Sequence, residues 1–162
     1  MDTKATLHLV CGKIASGKST LAQLLSTDRK VILINEDTWL SRLYPDEINT
    51  IEDYIRCSSR LRSIMEDHIQ LLLQANLSVV LDFPANTTEI RQWMLGISAR
   101  AGAANLLHYL DVPDDVCKDR LHVRNASGSH EFAPTDEQFD ELTSYFVPPS
   151  ASEGLMIKLH ED

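Results

Sequence analysis

Long apolar runs are missing from this sequence. No stretch is long enough and free enough of charge to span a bilayer, and Met1-Asp2-Thr3-Lys4 has neither the basic start nor the apolar body of a secretion signal. The expectation is a soluble, cytoplasmic protein with no membrane partner. Cysteine is sparse: Cys11, Cys57 and Cys117 are odd in number, widely spaced and free of any C-x-x-C pair, which fits buried thiols better than a disulfide or zinc framework. Positive charge is short as well. With 15 Lys and Arg against 24 Asp and Glu, the net charge is −9, so the surface field repels long polyanions and nucleic acid is disfavoured as a partner. The 6 histidines show no metal-ligand spacing such as H-E-x-x-H. There is no N-K-x-D string for guanine and no D-x-x-G of a GTPase switch. Asn86-Thr87-Thr88 and Asn125-Ala126-Ser127 are glycosylation sequons only in a secreted chain. Repeats and linkers are lacking too, and 162 residues are most simply one domain that buries roughly two-thirds of its unfolded surface.

What is present begins at Ala5. The stretch A-T-L-H-L-V-C-G-K-I-A-S-G-K-S-T reads as strand, loop and helix start, and Gly12, Gly17, Lys18 and Ser19 satisfy G-x-x-x-x-G-K-[ST]. Chance would produce that pattern in a chain of this length about once in two hundred times at average composition. Its glycines let the backbone curl, so that N–H groups from Gly12 through Lys13, Ile14, Ala15, Ser16, Gly17, Lys18, Ser19 and Thr20 line a nest for phosphate oxygens. Lys18 reaches the outer phosphates, Ser19 offers a hydroxyl to Mg²⁺, and the helix dipole points at the same charge. ATP and Mg²⁺ are the cofactors this predicts.

Strand and helix then alternate. Lys18 to Leu25 carries Leu21, Leu24 and Leu25 on one face, and Val31 to Asn35 is a strand buried on both sides. Glu36 to Trp39 leaves that strand, and Tyr44-Pro45 breaks the pattern. Thr50 to Asp53 has the form of a capping box for a long helix with Ile51, Tyr54, Ile55, Leu61, Met65, His68 and Leu72 at helical spacing. Ser78 to Asp82 is a strand stopped by Pro84. A helix begun by Asn86-Thr87-Thr88 carries Ile90, Trp93, Met94 and Ile97 and closes at Gly102. Asn105 to Leu110 is the fourth strand. Pro113 suits the first position of a helix running to about Asn125, and a small polar loop reaches Pro134. Thr135 caps a helix bearing Phe139, Leu142 and Phe146, ended by Pro148-Pro149, and Leu155 to Leu159 is the fifth strand. The pattern predicts an α/β, three-layer fold: a five-stranded parallel sheet with helices on both faces.

Three features outside the loop carry candidate chemistry. Asp37, just past the second strand, is placed to take a proton from an attacking hydroxyl; Glu36 competes for that role, and strand alternation sends the two apart. Asp82 ends V-V-L-D, where a carboxylate holds Mg²⁺ directly or through water. Arg120 and Arg124 stand four apart on one helical face, a like-charge pair that a triphosphate would relieve, and the following polar loop makes residues 120–134 a candidate lid. Arg42, Arg56, Arg60 and Arg62 are cations near the second strand and long helix whose contacts with substrate the sequence leaves open.

With these residues placed, the chain resembles the small P-loop kinases that include bacteriophage polynucleotide kinase domains, chloramphenicol phosphotransferase and the zeta-toxin kinases. The likeness runs through G-K-I-A-S-G-K-S-T, I-N-E-D at Ile34 to Asp37, V-V-L-D, L-D-V-P-D-D-V-C-K-D-R-L-H-V-R-N at Leu110 to Asn125, and F-V-P-P-S-A-S-E-G at Phe146 to Gly154. It implies Asp37 as base, Lys18 and Ser19 on phosphate and Mg²⁺, Arg120 and Arg124 in the lid, and residues 146–153 near adenine. In the polynucleotide kinases an Arg follows the base by three residues; here that position is Leu40, with Arg42 two further on. The expected activity is ATP-dependent transfer of a γ-phosphoryl group to a hydroxyl of a small molecule, the alternatives being a nucleotide-binding ATPase or switch without such an acceptor and a polynucleotide 5′-hydroxyl kinase.

Overall fold

The computed structural model describes residues 4–128 and 133–161. Five strands, β1 (Thr6–Cys11), β2 (Val31–Asn35), β3 (Ser78–Pro84), β4 (Ala104–Asp111) and β5 (Ile157–Glu161), form one parallel sheet in the order β2-β3-β1-β4-β5. Between them run α1 (Lys18–Leu25), α2 (Glu36–Leu43), α3 (Ile51–Gln74), α4 (Thr88–Ala101), α5 (Asp114–Ser127) and α6 (Asp136–Ser144).

Strand alternation explains the two cores. Leu7, Leu9, Leu81, Phe83 and Leu107 point to one face, where Met65 and Ile69 of α3 and Met94 and Ile97 of α4 cover them. Leu110, an even position of β4, points to the other, where it joins Val112, Cys117 and Leu121 around α5 and Phe139 of α6. Each such side chain contributes roughly 1.5–3 kcal/mol by leaving water. The three-layer α/β expectation is met, and all three cysteines are free and buried in these cores. Among the described residues no helix is long and apolar enough to cross a membrane.

Local signals set the helix ends. Thr50 and Asp53 close a reciprocal capping box on α3, Thr135 and Gln138 do the same for α6, and α4 runs from the Thr87 cap to left-handed Gly102. Other expectations are corrected. Residues 36–43, to which the sequence pattern assigns no element, are a helix: Asn35 accepts the Thr38 N–H as N-cap, and Glu36 and Asp37 favour the dipole of the first turn. Pro113 is the N-cap of α5, one place earlier than expected. Pro84 is the last residue of β3 rather than its stop, since a final strand position needs no N–H donor. The buried stripe of α3 is Cys57, Leu61, Met65, Ile69 and Leu73, while Ile51, Ile55 and His68 face water, as does Leu24 of α1. Helix α6 stops at Ser144, before the prolines, and Phe146 lies beyond it against Tyr109, ring centroids 6.1 Å apart.

Three histidines cross the sheet in a row. His8 Nδ1 is 3.0 Å from His108 Nε2, and His108 Nδ1 is 3.0 Å from His160 Nε2. Neutral imidazoles, each with one donor and one acceptor, satisfy such a chain. Burial first, then the charges of His8, His160 and Lys158, push His108 down to about 4.

Candidate active site

The loop between β1 and α1 sits at the carboxyl edge of the central strand, where a parallel sheet with neighbours on both sides leaves a crevice for ligands. Two glycines are required there. A Cβ on Gly12 would stand 2.5 Å from Ser16 Oγ and 3.1 Å from the Leu110 carbonyl, and Gly17 has φ +102°. Ala15 shares the left-handed region at φ 62°. The Ser16 hydroxyl is buried and has no hydrogen-bond partner among the described residues. A tight cradle with an orphaned hydroxyl inside fits the phosphate group that the motif implies.

Lys18 opens α1 and folds back over the loop, its Nζ donating to the carbonyls of Gly12 and Lys13, both at 2.7 Å. Burial of the ammonium end pushes Lys18 down to about 8, against the opposing pull of Asp82 and, more weakly, Asp37. Lys13 turns away, its Nζ 2.6 Å from Asp114 of α5 and 3.2 Å from the Val112 carbonyl, so only its backbone serves the loop. Ile14 packs with the α5 cluster, and Thr20 is exposed on the first turn of α1.

Beside the loop, Ser19 Oγ donates to Asp82 Oδ2 at 3.0 Å, and Asn35 Nδ2 donates to the same oxygen at 2.6 Å. A hydroxyl and a carboxylate in contact at the mouth of a phosphate nest are hard oxygen donors of the kind Mg²⁺ takes, with phosphate oxygens and water completing its shell. The described residues hold no cluster of three or more His, Cys, Asp or Glu side chains suited to a metal.

Asp37 and Glu36 do part company, though by the turn of α2 rather than by strand alternation. Glu36 is buried, accepting hydrogen bonds from Tyr54 Oη and, at 2.8 Å, from Ser58 Oγ; burial pushes its carboxyl upward. It staples α2 to α3. Asp37 is exposed, and its charge acts on both Lys18 and Arg124. Burial pushes the Arg124 guanidinium down, Asp37 opposes this, and Arg124 Nε is buried without a partner among the described residues. Arg120, one turn earlier on α5, donates from Nη1 to the Ser16 carbonyl at 3.4 Å. Thus Lys18, Asp37, Arg120 and Arg124 converge on one mouth. Both arginines sit on regular helix that persists to Ser127; of the candidate lid, residues 129–132 lie outside the described residues, and its return side is tied by Asn125 Nδ2 to the Pro134 carbonyl at 2.9 Å.

The remaining cations scatter. Arg42 and Arg60 are exposed, and Arg56 pairs with Asp53 at 3.0 Å. Arg62 lies over the Trp93 ring at 5.9 Å and, with Ser59, Ser63, Glu89 and Trp93, lines a groove of about 220 Å³ between α3 and α4. Leu40, where the resemblance places an Arg, is 3% exposed and belongs to the core.

Two residues outside the predicted site hold its frame. Asn86 grips Gly12 from both sides, accepting its N–H at 3.0 Å and donating to its carbonyl at 2.9 Å. Arg91 is wholly buried: its Nε meets Glu153 Oε1 at 2.9 Å, and its Nη1 donates to the carbonyls of Ala85 at 3.0 Å and Val147 at 2.9 Å. Gln92 adds a bond to the Glu153 carbonyl at 3.1 Å. A carboxamide beside two threonines reads as a helix start, and an arginine on an amphipathic helix reads as solvated, so neither partnership shows in sequence.

Known structures share this arrangement of elements. They include a protein assigned as a kinase from Chloroflexus aurantiacus (19% identity, TM-score 0.74, 98% of this chain and 85% of that one). A sugar kinase from Janibacter sp. HTCC2649 matches at 15% identity and TM-score 0.65 over 97% and 85% of the two chains. The APS kinase CysC of Mycobacterium tuberculosis, solved with AMPPNP and APS, matches at 20% identity and TM-score 0.55 over 88% and 97%. At such identities the likeness is one of fold, that of the small P-loop kinases. A search of curated protein sequences gave no match. A family model described as AAA domain matches residues 7–149, nearly the whole chain, and the chain belongs to that family.

Proposed function

We propose that this protein is an ATP-dependent kinase that transfers the γ-phosphoryl group to a hydroxyl of a small molecule. The observation that carries the reading is Asp37: an exposed carboxylate at the mouth of the phosphate loop whose charge acts on Lys18 on one side and Arg124 on the other. A protein that only bound nucleotide would need the loop but no such carboxylate; between kinase and hydrolase the fold, shared with kinases, favours the kinase.

In this reading Asp37 takes the proton of the acceptor hydroxyl as its oxygen bonds to the γ-phosphorus, and the bond to the β-phosphate oxygen breaks to leave ADP. Lys18 and Arg124 stabilise the charge on the moving phosphoryl group, and Arg120 stays nearer the nucleotide. Ser19 and Asp82 would hold Mg²⁺, which would supply positive charge against the phosphates. The net charge of −9 favours a small acceptor over a polynucleotide.

The test pairs nucleotide binding with an acceptor screen. Calorimetry should show Mg-ATP binding to the wild type, and Lys18→Ala should lower turnover at least about 10³-fold. Unchanged Mg-ATP affinity and activity in that variant would refute the assignment. Hydroxylated metabolites, nucleosides and antibiotics, screened with a non-hydrolysable ATP analogue, should include one that raises the unfolding midpoint.

A further inference from the structure

We infer that Asn86 is a positioning residue of the phosphate loop, one that keeps the Gly12 carbonyl paired so that Lys18 can leave it for a phosphate. The inference rests on the nucleotide reading above. In the free protein the Gly12 carbonyl accepts from both Asn86 Nδ2 at 2.9 Å and Lys18 Nζ at 2.7 Å, one donor for each lone pair. Lys18 also donates to the Lys13 carbonyl, which in turn accepts the Ser16 N–H at 3.2 Å. When the ammonium moves to a phosphate, both carbonyls therefore lose one partner and keep one. For Gly12, which is buried, the retained partner is Asn86.

The amide has only one orientation that satisfies both ends: Oδ1 on the Gly12 N–H and Nδ2 on the Gly12 carbonyl. Its own backbone is fixed from two directions. The Asn86 carbonyl accepts the Val147 N–H at 2.9 Å, and the neighbouring Ala85 N–H donates to the Val10 carbonyl at 3.2 Å. Asn86 thus fastens the loop to the end of β3, the strand that also carries Asp82.

Without Asn86, departure of Lys18 would strand a buried carbonyl, which corresponds to roughly a 10- to 100-fold loss of affinity. Titrating Mg-AMPPNP into wild type and Asn86→Ala by calorimetry should show Kd raised by that factor. In basal ATP hydrolysis the KM for ATP should rise in parallel while kcat stays within about threefold, because Asn86 touches no reacting atom. Should Asn86→Ala fail to fold, Asn86→Asp keeps the acceptor for the Gly12 N–H and loses only the donor. It should show at least the same loss of affinity, and Asn86→Leu, of similar shape and uncharged, should show the loss without the added charge. A folded variant with a lowered unfolding midpoint and wild-type Kd would overturn the inference and leave Asn86 a structural residue. If the wild type itself fails to bind Mg-AMPPNP, it is the nucleotide reading that falls, and this inference with it.

Discussion

The two sides of the candidate site are built differently. On the nucleotide side almost every group is fastened: Gly12 by Asn86, Lys18 by two carbonyls, Lys13 by Asp114, Ser19 by Asp82. Beyond the loop, Asp37 is exposed on the first turn of α2, and the other cations of α2 and α3 scatter: Arg42 and Arg60 face water, and Arg62 leans on Trp93 in a groove between α3 and α4. A phosphate chain is the same in every nucleotide, so its cradle can be prepared by backbone geometry. In the proposed reading, an acceptor would be recognised by side chains such as these, not by backbone. If that contrast is sound, changes on the two sides should separate into effects on affinity and effects on the chemical step.

The largest effect is expected where the two sides meet. Arg124→Ala should lower the single-turnover rate of phosphoryl transfer by about 10³-fold or more, with nucleotide affinity changed much less. An unaltered chemical step with weaker ATP binding would assign Arg124 to the nucleotide side instead. Asp37→Asn should cost roughly 10²- to 10⁴-fold in kcat while calorimetry shows Mg-ATP affinity intact. Its neighbour supplies the control: Glu36→Gln keeps an acceptor for Tyr54 and should leave kcat nearly unchanged. A crippled Glu36→Gln beside an active Asp37→Asn would reverse the two assignments.

Smaller effects come from titration. Free Lys18, held down to about 8 against an ordinary 10.5, loses its proton as the pH rises past 8, whereas a bound phosphate draws the proton back. Mg-ATP binding should therefore take up a proton above pH 8 and weaken by up to about tenfold per unit, seen as a buffer-dependent heat. Lys18→Arg should flatten that dependence. The mildest expected change lies far from the loop. His108 falls from 6.5 unfolded to about 4 folded, so between those values the unfolded chain binds more protons, and stability should decline as the pH drops from 6.5 towards 4. His108→Gln should make the unfolding midpoint less sensitive to pH across that window.

The same contrast governs what the sequence reveals. The phosphate loop was legible because its chemistry is local: glycines, lysine and hydroxyl must be neighbours in the chain, and the strand before and helix after are short-range patterns. The sequence marks Asp82 by the apolar run before it; β3 continues past it to Pro84, and Asp82 lies in contact with Ser19. Helix α2 escaped notice although Asn35 and two acidic residues mark its first turn, because eight residues between a strand and Tyr44-Pro45 give too little periodicity to read. Asn86 and Arg91 escaped because their partners, Gly12 and Glu153, lie 74 and 62 residues away. Sequence spacing carries no sign of such bonds. In α3 helical spacing also admits Ile51 and Ile55, which are exposed, because spacing alone does not say which residues of a helix meet the sheet.

Arg91 has one consequence for recognition. The segment from Val147 to Glu153 has little regular structure, only a single 3₁₀ turn over Ala151–Glu153, and a stretch of that kind at a ligand site would ordinarily sample many conformations. Here it is drawn onto a buried guanidinium by the Val147 carbonyl and the Glu153 carboxylate, with Ser150 capping the turn. Its conformational entropy is lost when the chain folds, not when a ligand arrives. If this segment borders the adenine, as the resemblance implies, the base would enter a wall already set, and little of its binding energy would go to ordering the protein. Flexibility would then be left to the acceptor side, where different hydroxyl compounds could be admitted by altering side chains without disturbing the nucleotide.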